Sequence, residues 1–471
     1  MFLHIYLRAF HTALFLCWDH LTEFHKLPVL MDSSSQPIKL ERVLSLFDAT
    51  MINAGGIIGS GIFMVPATIA LLAGSTSLIM TVWILGGVVS LFGALSVAEL
   101  GAAMPRAGGQ YVYLSEAYGP MWGYLYGWSA VAVINTSAIA AIGVAFAEYL
   151  EHFVSLSDWE IKGIAMGSVI ILTTLNILDV KSGARFQNLF TLLKIGAILG
   201  IIALGFILDG GSTSNLEPVF SDKTSRNLIG PLGLAMVSVL WTYDGWIFVT
   251  YIAGEIKNPG RNIPLSLLFC IIIVTSVYLL INFIFIYTLG LDGMVSSNLV
   301  ASDSAKVFLD EKGADFITII ILISLLGAMN GGILTSARIN YAMAKDKLFF
   351  KLAAQIHPKF KSPSNSLIIQ CIWACVLALS GTFNQLITYI IFASWIFYGM
   401  SAGAVIILRN KRPNLERPYK TPGYPWIPII FILFAIFLTI NTIMEAPRDA
   451  IVGTVIILAG IPFYYYWKKN G

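Results

Sequence analysis

Two short runs of residues could do chemistry inside a membrane. Gly55-Gly56-Ile57-Ile58-Gly59-Ser60-Gly61 sets four glycines within seven residues, and Trp241-Thr242-Tyr243-Asp244-Gly245-Trp246 sets an acid and a glycine ahead of the apolar Ile247-Phe248-Val249. Each run favours an interruption in an otherwise apolar helix. The N–H groups around Ser60, Gly61 and Ile62 would carry the positive end of the half-helix that follows, which suits a carboxylate. The carbonyls near Ile57 and Trp241–Tyr243 would carry the negative end of the halves that precede, which suits an ammonium. A carboxylate pole beside an ammonium pole is a site for a free α-amino acid. The candidate substrate-binding set on these runs is therefore Ile57, Ile58, Gly59, Ser60, Gly61, Ile62, Trp241, Thr242, Tyr243 and Asp244. The glycines alone would serve equally well for close helix packing. It is the second interruption, in a matching position, that favours a site.

Other polar residues at membrane depth are fewer. Lys194 is the sixth residue of the apolar run Leu189–Leu208, roughly 9 Å from its end. It either snorkels to the headgroups or serves a buried function, and depth alone does not choose. Asp244 reads first as the N-cap of the following half-helix and second as a substrate contact. Asn135, Asn330 and Trp395 are candidates to face the breaks and select the substrate side chain, against ordinary interhelical packing. Glu99, Arg106, Glu116 and Glu255 fall at segment ends and read as salt bridges of an inner gate. Cys17, Cys270, Cys371 and Cys375 show neither disulfide nor metal spacing. No phosphate loop, metal motif or nucleophilic triad occurs, so an enzyme is disfavoured and no cofactor or metal is expected.

The elements that must hold these residues follow from composition. Of 471 residues, 57% are hydrophobic and 12% charged, with mean hydropathy +0.79, about half the charge of a soluble domain. Lipid must solvate most of the chain, and a net charge of +3 gives no reason to expect a nucleic-acid partner. Twelve apolar segments are predicted, at about 46–73, 78–101, 120–150, 161–178, 186–208, 229–253, 264–289, 314–337, 366–380, 385–408, 425–444 and 450–467. Of the 29 Lys and Arg residues, 22 fall in the termini and alternate connections that would share one side, which places both termini in the cytoplasm. The two interrupted segments are five apart and enter from opposite sides. That pattern predicts two inverted five-helix halves, 46–208 and 229–408, followed by two further helices over 425–467. The fold class is thus an all-α membrane protein, with a cytoplasmic lead-in over 1–44, a transmembrane domain over 45–467 and a short tail over 468–471. A surface helix is expected around Ser304–Glu311. The apolar core of the first thirty residues, Ala9–Trp18, is too short to cross a bilayer. It reads as an interfacial helix, or as sequence upstream of a start at Met31.

Five motifs then bring a family into view: Gly55–Pro66, Ala98–Gly119, Trp241–Pro264, Thr335–Lys345 and Arg412–Pro425. In order and spacing they resemble the amino acid–polyamine–organocation (APC) superfamily and, within it, the L-type amino acid transporters, over about residues 40–467. The resemblance implies twelve helices, alternating access, and a substrate amine and carboxylate held by Ile57, Ser60 and Gly61. Trp241 would close over the substrate, and the carbonyls around Thr242–Asp244 would complete the amine site. It also implies that Lys194 stands where related carriers bind sodium, tying the first helix to the scaffold and making transport sodium-independent. Animal members of this type pair with a glycoprotein through a cysteine in the loop after the third span. Here that loop, Glu151–Lys162, has none, so no disulfide-linked heavy subunit is expected and the chain resembles the stand-alone microbial type. The expected function is secondary active transport of amino acids across the cell membrane, as an exchanger or a proton-coupled carrier. Neutral substrates are favoured because Asp244 is the only acid at mid-membrane. The alternatives are a polyamine or cationic amino acid carrier, or an amino acid sensor that does not transport.

Overall fold

The computed structural model describes residues 40–178, 180–208, 210–220, 229–297, 299–380, 383–445 and 447–470. The expectations for the first thirty residues lie outside these. Among the described residues every regular element is helical, apart from one isolated parallel bridge between Leu44 and Ile256. Local chemistry explains several helix starts. Ser45 and Asp48 form a reciprocal capping box at the start of α1, Leu46–Ile57. Prolines occupy the first turns of α3 (Pro66–Ala73), α6 (Pro120–Leu150) and α11 (Pro259–Ser296), where a missing N–H costs nothing. A short helix α2, Gly61–Met64, lies between α1 and α3.

The remaining helices are α4 (Thr76–Ala103), α5 (Gln110–Tyr118), α7 (Asp158–Leu178), α8 (Val180–Ile207), α9 (Ile229–Thr242), α10 (Phe248–Tyr251), α12 (Val300–Leu309), α13 (Glu311–Lys345), α14 (Ser364–Ser380), α15 (Phe383–Lys411), α16 (Trp426–Glu445) and α17 (Pro447–Asn470). Among the described residues, ten helical stretches are long and apolar enough to cross a membrane. That is two fewer than the twelve segments read from the sequence. The sixth segment breaks after the 14 residues of α9, and the 17 residues of α14 extend only about 26 Å. The helix expected near Ser304–Glu311 is α12, set a few residues earlier. No apolar segment had indicated α5.

The stretch Leu46–Met64, α6 and α13 are mostly buried and form the centre, whereas α16 and α17 expose most of their apolar surface, as helices facing lipid do. Acidic residues at the helix ends are paired. Glu255 meets Arg338 in a fully buried two-point contact of 2.8 and 3.0 Å. Glu99 takes Arg409 at 2.7 Å and Arg417 at 3.3 Å, and Glu116 takes Arg106 and Arg412.

Candidate functional site

The helix formed by α1 stops at Ile57 and resumes at Gly61. Between the two, the Gly59 N–H turns back onto the Ile57 carbonyl at 2.8 Å, and the N–H groups of Ser60, Gly61 and Ile62 find no acceptor among the described residues. The second interruption runs from Tyr243 to Ile247, with Gly245 at φ +105°. The two breaks touch. A Cβ on Gly245 would stand 3.0 to 3.2 Å from the backbone of Gly56 and Ile57, so this glycine is required both by its dihedral and by the approach. The four glycines of the first break divide by role. Side chains at Gly55 and Gly56 would collide with Gln187, Thr191 and Phe248, which makes these two packing glycines, whereas Gly59 and Gly61 line the space between the breaks, where a Cβ would meet ordinary contact at Gly59 and a tight fit against Thr242 and Trp241 at Gly61.

Tyr278 clasps the two breaks together. Its hydroxyl lies 3.1 Å from both the Ile57 and the Thr242 carbonyl oxygens and donates to them in turn. Its ring packs between Trp83 and Tyr243. On the other side, Lys194 of α8 is wholly buried. Its Nζ donates to Gly55 O at 2.6 Å and Ile58 O at 2.5 Å, and stands 3.5 Å from Ser324 O. The side chain therefore does not run to the headgroups. Ser324 adds a hydroxyl bond to Ile58 O at 3.0 Å. One ammonium and one hydroxyl thus satisfy carbonyls that the break has released.

A cavity of about 100 Å³ lies between the breaks. It is lined by Ile57, Gly59, Ser60, Gly61, Trp241, Thr242 and Asp244 from the two breaks and by Asn135 from α6. The other candidates lie elsewhere. Ile58 and Ile62 are buried in the packing around the break, and the Tyr243 ring points away, its hydroxyl reaching Trp83 O at 3.2 Å. Asn330 sits in a polar cluster, donating to Gln187 Oε1 at 2.8 Å and accepting from Asn176 Nδ2 at 2.8 Å. Trp395 packs among Tyr398, Phe431 and Phe434.

Asp244 is not a helix cap. The residue lines the cavity, and its carboxylate accepts a hydrogen bond from the Tyr398 hydroxyl. The residue that satisfies the start of α10 is Asn53, whose Oδ1 accepts from the Val249 N–H at 2.8 Å across the helix interface. Asn53, Tyr278, Ser324 and Tyr398 were not singled out from sequence, because each is a lone polar residue in an apolar run. Asn53→Ala should leave the Val249 N–H unpaired at a cost of about 1–3 kcal/mol. The purified variant should melt measurably below wild type, and an unchanged melting temperature would show that the bond contributes nothing to stability.

A family model described as amino acid permease matches residues 44–466. The serine/threonine exchanger SteT of Bacillus subtilis (strain 168) is 32% identical over 434 residues, covering 92% of this chain and 98% of its own length. The b(0,+)-type amino acid transporter 1 of Homo sapiens is 32% identical over 436 residues, 90% of this chain and 88% of that protein. The cystine/glutamate transporter of Homo sapiens is 32% identical over 443 residues, 92% and 87% respectively. The two helix breaks and their shared cavity thus occur in a chain that matches transporters over nearly its full length: it belongs to the amino acid permease family of the APC superfamily, and it is a transporter rather than an enzyme.

Proposed function

We propose that this chain carries neutral amino acids across the cell membrane by alternating access, independently of sodium, as an exchanger or with a coupled proton. The observation that carries the reading is the cavity between the two breaks. On one wall the unpaired N–H groups of Ser60, Gly61 and Ile62 would receive the substrate carboxylate. On the other, the Thr242 carbonyl and the Asp244 carboxylate would receive the ammonium. Tyr278 shares its one proton between Ile57 O and Thr242 O, but Ile57 O also accepts from the Gly59 N–H, so the amine is assigned to the second break. Lys194 would hold the first break closed, supplying by its ammonium the positive charge that a sodium ion supplies elsewhere.

In this reading α9 with α10 forms a sixth span and α14 a ninth, making twelve spans in two inverted halves, 46–208 and 229–408, with 425–467 appended. Both termini face the cytoplasm, and the pairs around Glu99, Glu116 and Glu255 close the inner side. The loop Glu151–Lys162 offers no cysteine, which supports a chain that works without a disulfide-linked subunit.

Asp244 supports a second reading, a cationic amino acid carrier. The residue lines the cavity, and among the described residues its carboxylate has a hydroxyl partner and no cation. A buried carboxylate of that kind attracts a cationic side chain. Counterflow into liposomes, in sodium-free buffer, separates the readings. Neutral amino acids should exchange fastest, and Asp244→Asn should weaken their uptake roughly tenfold by removing one charged partner of the α-ammonium. Arginine or putrescine outrunning every neutral amino acid, with that preference lost in Asp244→Asn, would replace the first reading by the second.

A further inference from the structure

At the end of α4 that carries Glu99, a groove of about 540 Å³ opens between α4, the start of α11 and the segment 412–425 that joins α15 to α16. The segment is firmly seated. Thr421 donates its N–H to Glu99 Oε2 at 2.7 Å, Arg417 stands 3.3 Å from Glu99 Oε1, and a Cβ on Gly260 would meet Pro418 at 2.8 Å. The groove thus lies between packed elements. Along α11 its lining changes character: Arg261, Leu265 and Leu268 line it at i, i+4 and i+7, one stripe of a helix, and the exposed Ile272 continues the stripe at i+11. From Arg261 to Ile272 the helix rises about 16 Å, half of a hydrocarbon core about 30 Å thick. A cation above one leaflet's depth of aliphatic surface matches a phospholipid. Trp426, 68% exposed at the first residue of α16, follows the segment directly, as indoles do at headgroup level.

Charge and hydrogen bonding point the same way. Arg261 is exposed and has no carboxylate partner among the described residues, and Lys257 and Lys420, next to groove-lining residues in the chain, are exposed as well. Glu99 is already neutralised by Arg409 and Arg417, and the one acid of the segment, Glu416, does not line the groove. Tyr419 does line it, and its hydroxyl is closed off from solvent with no hydrogen-bond partner among the described residues. Enclosed hydroxyls are nearly always satisfied, so this one calls for an acceptor. We propose that the groove binds one anionic phospholipid of the adjoining leaflet, with its headgroup on Arg261, a phosphate or ester oxygen on the Tyr419 hydroxyl, and an acyl chain along Leu95, Leu265 and Leu268. Basic pockets between membrane helices take anionic headgroups in this way. Phosphatidylcholine offers the same phosphate but brings its own cation, so net charge decides between them. The cavity between the breaks plays no part, and the test does not depend on transport.

Native mass spectrometry of the full chain, released from nanodiscs that hold equal amounts of phosphatidylglycerol and phosphatidylcholine, reads the site directly. The wild-type protein should retain a single phosphatidylglycerol over phosphatidylcholine by about tenfold. Arg261→Glu should bring that ratio to about unity. Leu265→Trp keeps every charge but fills the groove, and should do the same. Lys359→Ala removes an exposed charge on the connection between α13 and α14 and should retain phosphatidylglycerol as the wild type does. A wild-type ratio near unity overturns the proposal without recourse to any variant. A wild-type ratio in Arg261→Glu places the headgroup elsewhere, and one in Leu265→Trp shows that the charges act on the membrane surface alone; either result overturns the site. So does an equal loss in Lys359→Ala, which would reduce the preference to overall charge.

Discussion

Lys194→Ala is expected to abolish counterflow while the protein still reaches the membrane and purifies as a single species. The ammonium satisfies two carbonyls freed by the first break, Gly55 O and Ile58 O, from the face opposite the cavity. Without it Gly55 O loses its cross-helix donor, and Ile58 O keeps only the Ser324 hydroxyl at 3.0 Å. Each unsatisfied buried group costs about 1–3 kcal/mol, enough to move an equilibrium between two conformations by roughly ten- to a hundredfold. Lys194→Met separates the charge from the packing of the stem and should fail like alanine. Arginine should fail as well. A Cβ on Gly327 would lie only 3.2 Å from Nζ, so the pocket is already closed around a compact ammonium, and a planar fork does not fit it. Near-normal sodium-free uptake by Lys194→Ala would show that the bridge between α8 and the first break is dispensable.

Both breaks were legible in the sequence because glycine density and an acid beside a glycine are local signals. The direction of each side chain was not. For Lys194, distance along an apolar run fixed its depth but not whether it pointed to lipid, to headgroups or to another helix; Gly55 O and Ile58 O settle that. Asn330 shows the same gap. Ala328 and Gly332 face the cavity, and a residue two positions past Ala328 is turned about 200° around the helix, which carries Asn330 into the cluster with Gln187 and Asn176. From sequence Asp244 reads as a cap because caps usually come from the adjoining chain, whereas the acceptor here, Asn53, comes from another helix altogether. Tyr278 and Ser324 are single hydroxyls in apolar runs, a pattern that ordinary interhelical packing produces just as often. Their roles exist only once the two breaks are brought together in space.

The contact between the breaks also sets what Gly61→Val should do. A Cβ at this position would lie 3.1 and 3.2 Å from Thr242 Oγ1 and Cγ2 and 3.2 Å from Trp241 Cζ3. A methyl group is therefore already tight, and the two further carbons of valine would enter the space between the N–H groups of the first break and the second break. Their stiffness about χ1 leaves no rotamer that withdraws them. Binding and exchange should be lost in Gly61→Val and reduced in Gly61→Ala, a gradation that follows the volume added. Gly86, on the continuous helix α4, cannot serve as the control, since a Cβ there would stand 2.3 Å from Val239 Cγ1. Gly200 on α8 can, because nothing lies within 4 Å of its Cβ position, and Gly200→Val should transport like wild type. If Gly61→Val exchanges amino acids as well as Gly200→Val does, the carboxylate does not sit at this break, and the free N–H groups of Ser60, Gly61 and Ile62 serve some other purpose.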